Sequence, residues 1–183
     1  KLKKRKNIIT VAIDSPAAAG AGTQAKLISE YYNLFYLDTG KIYRYIGKLK
    51  LENNKNFTYN LVSKEVGNLK INQLNNKALL SNEVAISASK IAKNKKIRNI
   101  VHKYQQKCAY NPPKKYKGSV LDGRDIITVQ LKDAMFKFYI SASLKVRAKR
   151  RYEEYKDLDR KITYKEVLKS LRIRDKSDKE RKF

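Results

Sequence analysis

One cysteine, one methionine, one histidine and no tryptophan occur in 183 residues, and 43 lysines and arginines outnumber 17 acidic side chains. The single Cys108 excludes an internal disulfide and suits a reducing compartment, so a cytoplasmic location is expected. With no histidine or second cysteine beside it, Cys108 reads as a structural thiol on a helix. Lone His102 reads as a packing or surface residue. The sequence shows no metal-ligand cluster and no Ser/His/Asp arrangement. No apolar run approaches the roughly 18 residues of a membrane-spanning helix, so no membrane association is expected. The basic start, residues 1–6, precedes a segment too short and too polar for a signal-peptide core.

The length suits one domain, and an apolar fraction of 42% is enough for a core. A net charge of +26 invites a nucleic-acid reading. The lysines are scattered, however, and the Lys, Asn, Ile and Tyr bias is what AT-rich codons produce, so nucleic acid is not the expected partner. A cationic cleft for a small polyanion is the functional remainder. Arginine is scarcer: Arg5, Arg44, Arg98, Arg124, Arg147, Arg150, Arg151, Arg160, Arg172, Arg174 and Arg181. A chain so biased toward lysine is expected to keep arginine where a planar bidentate fork is needed.

Along the chain, residues 1–6 read as a solvated tail and 7–13 as a buried strand, because the apolar residues there are β-branched and nearly continuous. A helix is predicted over 23–33, a strand over 35–37 and a helix over 41–51. Residues 52–60 read as a polar linker, and 61–80 as either a small hairpin or an irregular insert. A long helix over 82–110, with a possible break at Asn94-Lys95-Lys96, ends at Asn111-Pro112-Pro113. Strands follow at 119–121 and 135–140, then charged helices at 146–157 and 164–174. Strands alternating with helices predict an α/β fold with a parallel sheet.

Function in such sheets gathers at the carboxyl ends of the strands. The first candidate there is Ser15, Pro16, Ala17, Ala18, Ala19, Gly20, Ala21, Gly22 and Thr23. Strand, small-residue loop and helix are the layout of a phosphate-binding loop, whose backbone N–H groups and helix N-terminus cradle phosphate. The G-x-x-x-x-G-K-[ST] pattern is broken twice, by Ser15 at the first glycine and Ala21 at the lysine. Two more loops, residues 38–44 and 122–125, bring further Asp, Gly and Arg to the same edge.

Ile13-Asp14-x-Pro16…Gly20-x-Gly22-Thr23, Leu37-Asp38-Thr39-Gly40-x-x-Tyr43-Arg44 and Leu121-Asp122-Gly123-Arg124-Asp125-x-x-Thr128-Val129 together resemble bacterial cytidylate (CMP) kinase, one of the P-loop nucleoside monophosphate kinases. Glu83-Val84…Ala88-Ser89…Ile97-Arg98, Val146-Arg147-Ala148-x-Arg150-Arg151 and Arg174-Asp175…Asp178…Arg181 extend the likeness over most of the chain. The resemblance implies a P-loop NTPase-type sheet flanked by helices, with a core (1–40, 119–146), a nucleotide-binding insert (41–118) and a helical lid (147–178). It implies transfer of a phosphoryl group from ATP, with Mg²⁺, to CMP or dCMP, by a monomer. Thr23 would meet the metal through ATP. Thr39, Tyr43, Arg44 and Arg124 would hold the acceptor phosphate region, and Ser89, Arg98 and Asp125 the cytosine. Asp178, oriented by Arg174, would accept ribose hydroxyls, with Arg181 in the same pocket. Arg147 and Arg151, with Arg124 and Arg174, would neutralise charge in transfer.

The chain departs from this pattern in three ways. Ala21 removes a phosphate-facing lysine, a loss of the kind that costs about 10²–10³ in rate. Lys26 lies about 500° further round a helix and faces away; lid arginines or Lys41 are better replacements. Ser15 and Ala18 would strain the loop if it needs positive φ there. The insert around 61–80 is short, with Leu80 where an arginine is expected. The family continues with a strand and a closing helix beyond a point matching Phe183, so a fragment with an uncovered sheet edge is expected. The alternatives are a catalytically weakened or non-catalytic CMP- and ATP-binding relative, a kinase for UMP or AMP, and a basic nucleic-acid-binding protein. More mundane readings also apply: a turn ion pair for Asp122 with Arg124, a solvated helix end for Asp178 and Arg181, and packing for Tyr152 and Tyr155.

Overall fold

In the computed structural model of the chain, residues 5–157 and 161–180 are described; Arg181 and residues 1–4, both part of the expectations above, lie outside them. The strands are β1 (Ile9–Asp14), β2 (Leu34–Asp38), β3 (Gly118–Gly123) and β4 (Phe136–Tyr139). They form one sheet in the order β2-β3-β1-β4, with every pairing parallel. The helices are α1 (Ala21–Tyr32), α2 (Thr39–Glu52), α3 (Tyr59–Gly67), α4 (Asn82–Ile91), α5 (Lys95–Tyr110), α6 (Leu144–Asp157) and α7 (Tyr164–Lys179). None is long and apolar enough to cross a membrane.

Alternation along the strands divides the core between the two faces of the sheet. Val11 and Ile13 of β1, Leu34 of β2 and Val120 of β3 pack with Ala21 and Ala25 of α1. Ala12, Leu37 and Leu121 point the other way and join Ile42 and Ile46 of α2 with Val101 of α5. A third cluster unites Ala148 of α6 with Val167 and Leu171 of α7, and it includes Ala17 of the loop after β1. The two charged helices therefore make their own small core and press it on that loop. Tyr152 and Tyr155 belong to this cluster, in the packing role read for them.

The termini of the elements follow local chemistry. Asn33 ends α1 in the left-handed region at φ 52° and lets β2 start at once. Asp38 caps α2 by accepting from the Gly40 and Lys41 amides. The break expected at residues 94–96 is real, because the Asn94 side chain accepts from Ile97 N at 3.1 Å and starts α5 anew.

Three expectations need correction. A hairpin over 61–80 is absent: α3 occupies Tyr59–Gly67, followed by 3-10 turns at Ile71–Asn75 and Lys77–Leu80. Thr58 accepts from Leu61 N to cap α3, and Val62 and Val66, one turn apart, are its buried face. The stretch read as a linker, 52–60, contains a 3-10 turn at Asn54–Asn56 and the start of α3. Arg5 is fastened rather than solvated, donating to Tyr116 O at 2.7 Å and Pro112 O at 3.4 Å. Cys108 is half-buried on α5 and hydrogen-bonded with Tyr104, and desolvation pushes its thiol up to about 11, the inert state expected of it.

Candidate active site

The loop between β1 and α1 is anchored at both ends. Ser15 N donates to Gly123 O at 3.2 Å, and Ala19 N to Pro16 O at 3.3 Å. Gly20, at φ 97°, turns the chain into α1. Ala18 also sits in the left-handed region, at φ 60°, whereas Ser15 does not. The feared strain is therefore real at one of the two positions. The first i→i−4 bond of the helix runs from Gln24 N to Gly20 O, so the amides of Ala21, Gly22 and Thr23 point out of the helix end, as such termini require. They form an anion cradle. Thr23 is exposed in the first turn of α1.

Arginines from α6 hold the loop by its carbonyls. Arg147 is 5% exposed. Its Nε donates to Ala142 O, its Nη1 to Ala17 O, and both terminal nitrogens meet Asp175 of α7, at 3.0 and 2.6 Å. Through these bonds Arg147 ties α6, α7 and the loop together. Arg150, part of the lid motif but given no role of its own from the sequence, donates through Nη1 to Ala19 O at 3.0 Å. Arg151 pairs with Glu154 and lies 5.8 Å from the Tyr155 ring.

A second group of arginines converges from separate segments. Arg124, after β3, is ion-paired with Asp178 of α7, and not with Asp122, so the turn ion pair is overturned. Arg174 as a residue is exposed. Its guanidinium nevertheless titrates low, at about 10, through desolvation first and then the positive charges of Arg124, Arg151 and Arg44, partly offset by Asp178. Arg44 donates to Leu79 O at 2.9 Å. Four guanidinium groups within electrostatic reach of one another are a site for a strongly anionic ligand.

Carboxylates line the strand ends. Asp38 and Asp122 occupy paired positions of β2 and β3. Burial, then the charge of Asp38, pushes Asp122 up to about 7. Its Oδ1 is buried without a hydrogen-bond partner, while Oδ2 lies 3.8 Å from where a Cβ on Gly22 would stand. Burial and Asp122 also raise the Tyr36 hydroxyl. Asp14 is raised by burial, against hydrogen bonds from Ile126 N at 2.7 Å and Ile127 N at 3.2 Å. Those bonds fix the π-helical turn Ile126–Gln130 and hold Asp125 at φ 62°. Among the described residues no group of three or more His, Cys, Asp and Glu is placed to hold a metal. An orphaned carboxylate oxygen and a hydroxyl beside a phosphate cradle do fit a hard cation carried by phosphates.

The expected nucleoside-facing residues divide. Thr39 is buried and donates to Asp122 O at 2.8 Å, and Tyr43 packs against the larger core cluster. Ser89 is exposed on α4 and bonds Ala85 O. Arg98 staples the α4–α5 elbow through Nη1 to Ala92 O and Lys93 O. The hydrogen bonds of both go to backbone carbonyls of α4 and of the elbow rather than to the arginine cluster. Asp14, Tyr36, Asp122 and Arg150 were missed as individual site residues; the acidic ends of three adjacent strands were the signal for two of them.

A sequence profile of the family described as Cytidylate kinase matches residues 11–183. The chain is 44% identical to a "Cytidylate kinase" of Bartonella tribocorum over 94% of its own length and 79% of the relative. It is 40% identical to one of Fusobacterium nucleatum, over 95% and 83%. It is 39% identical to one of Thermosipho melanesiensis, over 93% and 81%. The three loops at the strand ends, the arginines from α6 and α7 and these likenesses lead to one assignment: the chain belongs to the cytidylate kinase family.

Proposed function

We propose that this protein transfers the γ-phosphoryl group of ATP to CMP or dCMP. The observation that carries the reading is the gathering of Arg44, Arg124, Arg151 and Asp178, from α2, the loop after β3, α6 and α7, about Arg174. Transfer between two polyanions needs positioning and charge neutralisation more than covalent chemistry, and four arginines with a helix N-terminus supply both.

The donor phosphates lie on the amides of Gly20, Ala21, Gly22 and Thr23. Thr23 and Asp122 would hold Mg²⁺ carried by the donor, and the ion would supply charge screening for the phosphates. Arg44 and Arg124 clamp the acceptor phosphate as bidentate forks. Arg124 is already held in place by Asp178, so the ribose hydroxyls exchange into a preformed polar pair. Ser89, Arg98 and Asp125 face the cytosine ring, whose exocyclic amine suits the Asp125 carboxylate. Arg151 and Arg174 neutralise charge in flight. Residues 41–118 act as the acceptor-binding segment and 147–178 as the lid, closing to exclude water. The protein works as a cytoplasmic monomer.

ATP-dependent formation of CDP from CMP, with AMP and UMP in parallel, tests this reading. Preferred turnover of CMP is the expected result. CMP binding without CDP formation would leave a non-catalytic nucleotide binder, and salt-sensitive RNA binding that CMP does not relieve would overturn the reading altogether.

A further inference from the structure

The loop has no cation at position 21. Ala21 is 4% exposed and packs among Val11, Ile13, Ala25 and Leu34. Lys26 points to solvent from α1. Lys41 sits at the start of α2, where it faces Asp122 electrostatically. Arg147 is consumed by Asp175 and two carbonyls.

Arg150 is placed differently. Its Nη1 donates to Ala19 O at 3.0 Å and stands 3.4 Å from where a Cβ on Gly20 would be. The guanidinium therefore lies over the turn whose amides form the cradle. One N–H goes to Ala19 O, and a planar head with five donors has others to offer an anion.

We infer that Arg150 is the donor-phosphate ligand that replaces the lysine missing at position 21. This rests on the kinase reading above. A loop lysine would be present whether or not the lid is in place. Here the cation arrives on α6, so the full charge of the donor site exists only when α6 is seated on the loop.

The test is a double-mutant cycle on the full chain: parent, Arg150→Ala, Ala21→Lys and the pair. CDP formation is read with ATP affinity, CMP affinity and thermal unfolding. In the parent, Arg150→Ala should slow turnover about 10²–10³-fold, the usual loss of one transition-state donor, with CMP affinity kept. In the Ala21→Lys background the same change should cost less than tenfold. Equal losses in both backgrounds, or a loss of only a few fold in the parent, overturns the inference. Arg150→Gln separates charge from anchoring, because it can still donate to Ala19 O: full activity in that variant would make Arg150 a structural cap and overturn the inference. If the parent makes no CDP, the kinase reading fails first, and the cycle is read on ATP affinity. A drop of tenfold or more in Arg150→Ala then sustains the assignment, and an unchanged affinity overturns it.

Discussion

Asp38 and Asp122 stand at directly paired positions on the carboxyl ends of β2 and β3, and burial with this proximity holds Asp122 up at about 7. An aspartate in an unfolded chain titrates near about 3.9. Between those values the folded protein keeps a proton that the unfolded chain has released, so this group lowers stability as pH rises from about 4 to about 7. Asp122→Asn removes that decline. The variant should be more stable than the parent at pH 8 and should lose its advantage below pH 4. Thermal unfolding of the ligand-free proteins across this range checks it; an equal slope in both would show that Asp122 ionises normally. Turnover should fall in the same variant by about 10–100-fold, the usual effect of losing an outer-shell metal partner.

Arg147 and Asp175 form a two-point ion pair with one partner almost entirely buried. Asp175→Ala leaves a charge in the α6–α7 contact with two carbonyls as its remaining partners. Loss of a hydrogen bond to a charged group predicts a cost of about 1.5–3 kcal/mol, reduced where solvent reaches the aspartate. Because the same guanidinium holds Ala17 O, the KM for ATP should rise more than that for CMP. Urea unfolding and paired titrations of the two substrates decide the matter.

The parallel α/β fold was legible because β1 carries a nearly continuous β-branched apolar run, β3 a short one at Val120-Leu121, and because Asn33, Asp38 and Asn94 mark boundaries in the sequence. Helix α3 was not, since Val62 and Val66 are its only fully buried apolar residues and the flanking asparagines resemble a linker. At the site, the backbone motifs were legible and the partners were not. Arg147 and Arg151 look alike one turn apart on α6, and only tertiary packing gives the first to Asp175. Arg150 lay in plain view between them, but which carbonyl it reaches depends on how α6 docks, and that is set by the Ala17, Ala148 and Leu171 contacts far apart in the chain.

Gly47 is where α2 and α4 come closest. A Cβ there would lie 2.9 Å from Ala88 N and 3.0 Å from Val84 O, and Ser87 Oγ donates to Gly47 O at 3.0 Å across the same contact. Backbone atoms cannot swing aside, so Gly47→Ala must separate the helices. A cost of about 1–3 kcal/mol is predicted, typical of overpacking. The shift falls in the acceptor-binding segment, so the KM for CMP should rise while ATP affinity holds. Calorimetric unfolding with substrate titrations checks both parts.

Ala18 adopts φ 60° within the phosphate loop, a region that costs a residue with a Cβ about 1–2 kcal/mol. Glycine relieves that strain but adds freedom to the unfolded chain, worth about 0.4–1 kcal/mol. Ala18→Gly should therefore stabilise the protein modestly, by about 0.5–1 kcal/mol on balance. Denaturant unfolding measures it. A loss of stability would mean that the Ala18 methyl packs better than its backbone geometry implies.

Asp125 also occupies the left-handed region, at φ 62°, where aspartate and asparagine are tolerated far better than most residues. This separates chemistry from conformation. Asp125→Asn keeps the backbone and the size while removing the charge. Asp125→Ala removes both the charge and the local tolerance for that turn, which Asp14 fixes through Ile126 N. If the carboxylate reads the exocyclic amine of cytosine, both variants should lower the CMP-over-UMP ratio of kcat/KM by about tenfold, the worth of one charge-assisted hydrogen bond. Only the alanine variant should also lose thermal stability. A specificity ratio unchanged in Asp125→Asn would place base discrimination elsewhere, on Ser89 or Arg98, and leave Asp125 a turn residue.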